Sequence, residues 1–249
     1  MSSPNFRFKQ FTIWHDKCAM KVGTDGVLLG AWCPLNELIM RDTQCTILDV
    51  GTGSGLIAIM LAQRLCDKGG QDFTIDAIDV NDSAAAQAQA NCDVSPWKKH
   101  LRVWHTSLQD FEAQKESYNL IVSNPPYFVD SLKNPDKGRE TARHTDSLSD
   151  EELLSKSAQL LTQSGHLALI VPAAKETAIL HLAKAYGLTL CRQTEVYSKP
   201  DKEQPLRVML DFVKDIKNHV EPTTDRLNIE SAHSPRSEEY VELTKAFYL

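Results

Sequence analysis

TILDVGTGSGLIAIMLAQRLC occupies residues 46–66. TILDV (46–50) is a short apolar run with a β-branched start, which reads as a buried strand. A glycine cluster closes it, and LIAIMLAQRLC (56–66) then carries apolar residues at helical spacing. Strand, glycine turn and helix in that order form half of a βαβ unit. Such units build a mostly parallel sheet covered on both faces by helices.

The alternation continues outward from this stretch. FTIDAIDV (73–80) reads as a second strand and SAAAQAQANC (83–92) as an alanine-rich helix, with Asp82 or Ser83 placed to cap it. LRVWHT (101–106) and YNLIVSN (118–124) are the third and fourth strands, the latter halted by Pro125 and Pro126. SDEELLSKSAQLL (149–161) opens with a capping box, Ser149 with Glu152. HLALIVP (166–172) is the fifth strand, and ETAILHLAKAYG (176–187) is a helix ended by Gly187. LTLCRQTEVYS (188–198) and PLRVMLDFVK (205–214) are successive strands, expected to pair antiparallel. The polar segment 218–238 reads as a loop, and YVELTKAFYL (240–249) as a docked terminal helix. No internal repeat or low-complexity run appears.

The 249 residues fit one α/β domain, and 42% hydrophobic against 24% charged residues is the balance of a chain that buries a real core. The longest apolar runs are far shorter than the ~20 residues of a membrane span, and MSSPNFRFKQ at the start has no apolar signal region. A cytoplasmic protein is expected. The cysteines at 18, 33, 45, 66, 92 and 191 form no CxxC pair and have no His at zinc spacing, so they read as reduced thiols. His100 and His105 read as ordinary side chains, and no metal is expected.

A net charge of −6 argues against a protein that coats nucleic acid non-specifically, yet it leaves room for a local basic face. Residues 1–21 hold Arg7, Lys9, Lys17 and Lys21 against the single acid Asp16. Lys98, Lys99 and Arg102 lie close together, and Lys133, Lys137, Arg139 and Arg143 outnumber Asp136 and Glu140.

The glycine turn DVGTGSG (49–55) lies where open α/β sheets bind ligands, at the carboxyl end of a strand. Gly51, Gly53 and Gly55 open backbone conformations closed to other residues and let a ligand approach the main chain. The spacing is GxGxG, unlike the GxGxxG of dinucleotide sites. Asp49 before the turn would repel a pyrophosphate but suits a ligand that carries an ammonium group. Asp79 closes the second strand, where a carboxylate can accept both ribose hydroxyls of an adenosine moiety. Asp76 is its rival in the same run but lies further from the strand end. After the third strand, Asp110 can meet an adenine amino group or cap a following helix.

NPPY (124–127) comes directly off the fourth strand. An amine conjugated to a ring is a poor nucleophile because its lone pair is delocalised. The Asn124 side-chain carbonyl and the Pro125 main-chain carbonyl can each accept one N–H bond from such an amine. Two acceptors out of the ring plane favour a tetrahedral nitrogen and stabilise the charge that develops on it. Pro125 and Pro126 stiffen the turn and add no donor, and Tyr127 offers a face for stacking.

The order DVGTGSG, Asp79, NPPY resembles the class I S-adenosylmethionine-dependent methyltransferases of the N6-adenine and glutamine-amide type. FRFKQFTIWHDKCAMKVGTDGVLLGAW (6–32), NPPYF, ARHTDSLSDEELL (142–154) and EYVELTKAFYL (239–249) extend the likeness to the bacterial tRNA1(Val) adenine-N6 methyltransferases, over nearly the whole chain. The resemblance implies a Rossmann-like α/β fold with a seven-stranded, mostly parallel sheet ending in an antiparallel hairpin. It divides one methyltransferase domain into a cap segment (1–45), a core (46–214) and a C-terminal extension (215–249). It assigns Asp49, Gly51, Gly53, Gly55 and Asp79 to S-adenosylmethionine and Asn124 to Tyr127 to the adenine. Thr24 and Asp25 in GTDGVLLG (23–30) would lie over the methionine end of the cofactor, although the same residues read equally as a helix start. Lys17, Lys21, Arg139, Arg143, Lys199 and Arg207 become candidates to contact phosphates of a tRNA anticodon loop. The enzyme is expected to act as a monomer.

A release-factor glutamine methyltransferase shares the NPPY turn, but those enzymes resemble this chain without its short basic start, since they carry a sizeable helical N-terminal domain. An enzyme for exocyclic amines of rRNA or DNA is a further alternative. A catalytically silent cofactor-binding module would have no need of acceptors at the strand end. A nicotinamide dehydrogenase is disfavoured by the glycine spacing.

Overall fold

The computed structural model describes residues 3–18, 20–35, 44–126, 148–214 and 221–248. At the start, β1 (Asn5–Arg7) and β2 (Thr12–Trp14) form a small antiparallel hairpin, followed by α1 (Thr24–Trp32). The glycine-turn stretch then forms β3 (Cys45–Val50) and α2 (Leu56–Asp67). β4 (Phe73–Asp79), α3 (Asp82–Val94) and β5 (Leu101–His105) follow in sequence. β6 (Tyr118–Ser123) leads to the Asn-Pro-Pro turn. Beyond it come α4 (Asp150–Leu160), β7 (Leu161–Pro172), α5 (Glu176–Ala185), β8 (Leu188–Tyr197) and β9 (Arg207–Lys214). β10 (Thr223–Asn228) and α6 (Glu238–Thr244) complete the described chain.

The main sheet has eight strands in the order β10-β8-β9-β7-β6-β3-β4-β5. β9 pairs antiparallel with both β7 and β8, and the other pairings are parallel. The seven strands expected from the resemblance are therefore corrected to eight. The eighth is β10, within the segment read as a loop. Its sequence TTDRLN buries one residue, Leu227, so it shows no apolar alternation. Its register with β8 is set by backbone pairing from Thr223↔Arg192 to Asn228↔Tyr197, and by Arg226, whose guanidinium lies 3.7 Å over the Tyr197 ring.

The sheet separates two apolar cores. One face packs Ile47, Ile75 and Ala168 against α1, α2 and the N-terminal Phe8 and Ile13. The other packs Leu48, Ile121 and Leu169 against Leu153, Leu154 and Ile179 of α4 and α5. This alternation along each strand is why the central strands read as continuous apolar runs. α1 and α2 approach closely at Gly30, where a Cβ would come within 2.9 Å of Met60 Sδ. The N- and C-terminal segments close over one another: Lys9 donates its backbone N–H to Phe247 O at 2.8 Å, and Phe6 and Phe8 pack on Tyr248.

Two local expectations resolve differently. The capping box of α4 is present, with Ser149 accepting from the Glu152 N–H and Glu152 accepting from the Ser149 N–H. The cap of α3, however, is Asn81 rather than Asp82 or Ser83. Its Oδ1 accepts from the Ala84 N–H at 3.0 Å, which leaves Asp82 in the first turn beside the positive end of the helix. No described helix is long and apolar enough to cross a membrane.

Candidate cofactor and amine site

Strand register brings the two motifs together. Val50 pairs with Ser123, so Gly51 and Asn124 each stand one residue beyond the last paired position of neighbouring strands. The Ser123 hydroxyl donates to Val50 O at 2.8 Å and pins the two strand ends. The turn itself is fastened to β4, because the N–H groups of Gly51 and Thr52 donate to Ile78 O at 2.9 and 3.0 Å. Gly51, Gly53 and Gly55 have φ of +70°, +58° and +80°, the left-handed region that glycine enters without strain. A Cβ at Gly51 or Gly53 would meet nothing within 4 Å, whereas one at Gly55 would touch Ala88 of α3 at 3.4 Å. The first two glycines thus face open space, and the third packs helix against turn.

Asp79 reaches this turn directly. Its Oδ2 accepts from the Gly53 N–H at 2.8 Å and its Oδ1 from the Asn81 N–H at 2.9 Å. Asp76 is directed elsewhere, accepting from Trp104 Nε1 at 2.9 Å and Tyr118 Oη at 2.8 Å. Asp49 is fully buried below the turn. Its Oδ2 accepts from the Thr52 hydroxyl at 2.7 Å and the Ala58 N–H at 3.2 Å, while Oδ1 is buried with no hydrogen-bond partner. Burial pushes its carboxyl up to about 7, opposed by those two donors and reinforced by the charge of Asp79.

Asp110 sits in the connection after β5, exposed, accepting from the Ser107 hydroxyl at 2.7 Å and donating its N–H back to that oxygen at 3.0 Å. It caps no helix, since residues 111–117 form none. Asn124 is half-buried, Pro125 buried and Pro126 exposed; Tyr127, Arg139 and Arg143 lie outside the described residues. Thr24 and Asp25 open α1, which Gly23 caps without a side-chain bond. Arg207 donates from Nε to Asp25 Oδ2 at 2.9 Å. Lys17 and Lys21 are exposed, and Lys199 lies 3.4 Å from Glu230.

Asn91 is a residue that sequence reasoning missed. It lies fully buried on α3, and its side chain accepts from the Trp14 N–H at 3.0 Å while donating to Trp14 O and to Ser54 O at 2.8 Å each. One amide therefore ties the basic N-terminal hairpin to the glycine turn. A polar residue on the buried stripe of an alanine-rich helix was the available signal. His100 and His105 do not converge: His100 bonds Phe73 O and His105 bonds Val80 O. A metal-compatible trio, His166, Cys191 and Asp211, lies within the sheet, where His166 Nδ1 is 2.9 Å from Asp211 Oδ1.

Open glycines and an acid fastened at the end of β4 fit a cofactor that carries a ribose and approaches the main chain closely. Comparison with known proteins agrees. Residues 30–198 match the model of the methyltransferase small domain. The chain is 44% identical over 250 residues to a tRNA1(Val) (adenine(37)-N6)-methyltransferase of Parabacteroides distasonis, covering 100% of this chain and 99% of the relative. It is 43% identical to a protein of the same name from Aeromonas salmonicida, covering 98% of this chain and 97% of that one. Among solved structures, a predicted O-methyltransferase from Agrobacterium tumefaciens superposes with a TM-score of 0.67 at 15% identity, over 90% of this chain and 96% of that one. A SAM-dependent methyltransferase from Aquifex aeolicus gives 0.50 at 14% identity, over 74% and 92%. These two likenesses speak for the fold alone. With full-length identity above two fifths to proteins of one name, the chain belongs to the tRNA1(Val) (adenine(37)-N6)-methyltransferases, within the S-adenosylmethionine-dependent class I fold.

Proposed function

We propose that this enzyme methylates the exocyclic N6 of adenine 37 in tRNA1(Val), the reaction named for its relatives. The observation that carries the reading is the placement of Asn124 and Pro125 one and two residues past β6, beside the glycine turn at the end of the paired β3. S-adenosylmethionine, when bound, supplies a methyl group already activated by its sulfonium. Positioning then provides much of the acceleration, and the protein's work is to aim and polarise the amine.

Asn124 Oδ1 and Pro125 O each accept one N–H of the adenine amine, which directs the nitrogen lone pair toward the methyl group. The two acceptors would stabilise the positive charge that develops on nitrogen until one of its protons passes to solvent. Pro125 and Pro126 hold the acceptors in a stiff frame, and Tyr127 supplies a stacking face for the base. Asp79 takes the ribose hydroxyls of the cofactor, Gly51 and Gly53 admit it to the main chain, and Asp110 meets its adenine. Thr24 and Asp25 cover its methionine end. Asp49 acts from beneath the turn: fully buried, it fixes the shape of the loop through Thr52 and Ala58.

The target base is splayed from the anticodon loop into this pocket, with Lys17, Lys21, Arg139, Arg143 and Lys199 on backbone phosphates. Such a substrate places the enzyme in the cytoplasm. The test is incubation with labelled S-adenosylmethionine and separate pools of unmodified tRNA, rRNA and release factor, followed by nucleoside analysis. N6-methyladenosine in tRNA is expected. Label in protein without label in tRNA overturns the reading.

A further inference from the structure

Arg207 was expected at the tRNA backbone, but its Nε is bonded to the cap helix and its Nη1 donates to Leu206 O at 3.0 Å. It stands at the first position of β9, opposite Pro172 at the last position of β7. That is the carboxyl end of β7, the same edge of the sheet on which the glycine turn and the Asn-Pro-Pro turn stand. From there its Nε donates to Asp25 Oδ2 at 2.9 Å, with both side chains about three quarters buried.

The other end of α1 is held by two more guanidinium groups. Arg64 donates to Gly30 O at 2.8 Å and Cys33 O at 2.9 Å, and Arg192 donates to Trp32 O at 2.7 Å while lying 3.9 Å over its ring. Those contacts lock the C-terminal carbonyls of the helix to α2 and β8. The first turn begins at a glycine cap with no side-chain bond of its own, and Asp25 stands in that turn beside the positive end of the helix. A carboxylate has about four acceptor sites, and a single Nε–H bond holds Oδ2 while leaving capacity for a cation.

We infer that Arg207 is a positioning residue for the cofactor's amino-acid end, acting through Asp25 rather than on a tRNA phosphate. The inference rests on the proposed place of Asp25 over the methionine end. By anchoring Asp25 to the strand edge, Arg207 fixes both the carboxylate and the first turn of α1 against the site. A lysine at 207 would keep the charge but lose the directional Nε–H bond that Arg207 makes to Asp25 Oδ2.

Two probes separate the alternatives: S-adenosylhomocysteine, which carries the amino-acid end, and 5′-methylthioadenosine, which lacks it. Calorimetric titration of Arg207→Met should show S-adenosylhomocysteine weakened roughly tenfold, the loss of one charge-assisted bond. Methylthioadenosine affinity should be unchanged, Arg207→Lys should recover part of the loss, and tRNA affinity should keep its salt dependence. Equal weakening of both probes would mean a collapsed pocket and would overturn the inference. Unchanged S-adenosylhomocysteine binding with weaker, less salt-dependent tRNA binding would return Arg207 to the phosphate backbone. Asp25→Asn tests the underlying reading separately. If it leaves S-adenosylhomocysteine affinity intact, the place of Asp25 fails; if it weakens binding while Arg207→Met does not, only the role of Arg207 fails.

Discussion

Asp79 Oδ2 accepts the Gly53 N–H at 2.8 Å, so the acid at the end of β4 also holds the turn at the end of β3. The same carboxylate that is proposed to meet the ribose therefore shapes the loop that admits it. Asp79→Ala should weaken S-adenosylhomocysteine binding at least tenfold by calorimetry, since a charge-assisted contact and the fixed turn are lost together. Asp76→Ala should leave that affinity alone but lower thermal stability, because the partly buried Tyr118 hydroxyl loses its acceptor.

Asn124 is proposed to contribute an acceptor whose value appears as charge develops on the amine. Asn124→Ala is expected to reduce the methylation rate by about 10²–10³, comparable to removal of one oxyanion-hole donor. Calorimetry on the same variant should give unchanged S-adenosylhomocysteine affinity. A near-normal rate would refute the role of this amide.

The buried Asp49 gives stability a predictable pH dependence. Its folded pKa of about 7 lies above the ordinary 3.8, so the folded chain holds this proton more tightly than the unfolded one. The contribution to stability is full below about pH 4, falls as pH rises toward about 7, and is level above that. Asp49→Asn should remove this component, narrowing the Tm difference between about pH 5 and about pH 8 by a few degrees. Thermal melts of both proteins check it, and identical pH dependence would assign the titration to another group.

The capping box of α4 is a stability device remote from the chemistry. Ser149→Ala should cost about 1 kcal/mol and lower Tm by ~2–4 °C. Cofactor affinity should not change. A loss in binding without a loss in Tm would contradict a purely structural role.

Charge should govern affinity for RNA despite the net −6. Log affinity for tRNA is expected to fall linearly with log salt, by about 0.7 per neutralised phosphate in single-stranded regions. Lys17→Ala and Lys21→Ala should each reduce that slope by about this amount, measured by filter binding across a salt series. An unaltered slope would remove those lysines from the interface.

Local sequence carried the elements whose physics is local. DVGTGSG needs glycine at positions with φ of +70°, +58° and +80°, Ser149 and Glu152 lie three residues apart and satisfy each other, and the central strands are apolar because both their faces are covered. The order of glycine turn, acid and Asn-Pro-Pro likewise follows from motifs at strand ends. The tertiary structure decided what depends on partners distant in the chain. β10 is a strand because β8 offers its edge, not because TTDRLN alternates. Asp79 rather than Asp76 meets the turn because register and strand direction send them to different neighbours. Arg207 meets Asp25 across 182 positions of chain, a pairing that no local spacing encodes. Periodicity and turn chemistry are properties of neighbouring residues, whereas the partner of a charge is fixed only when the sheet is assembled.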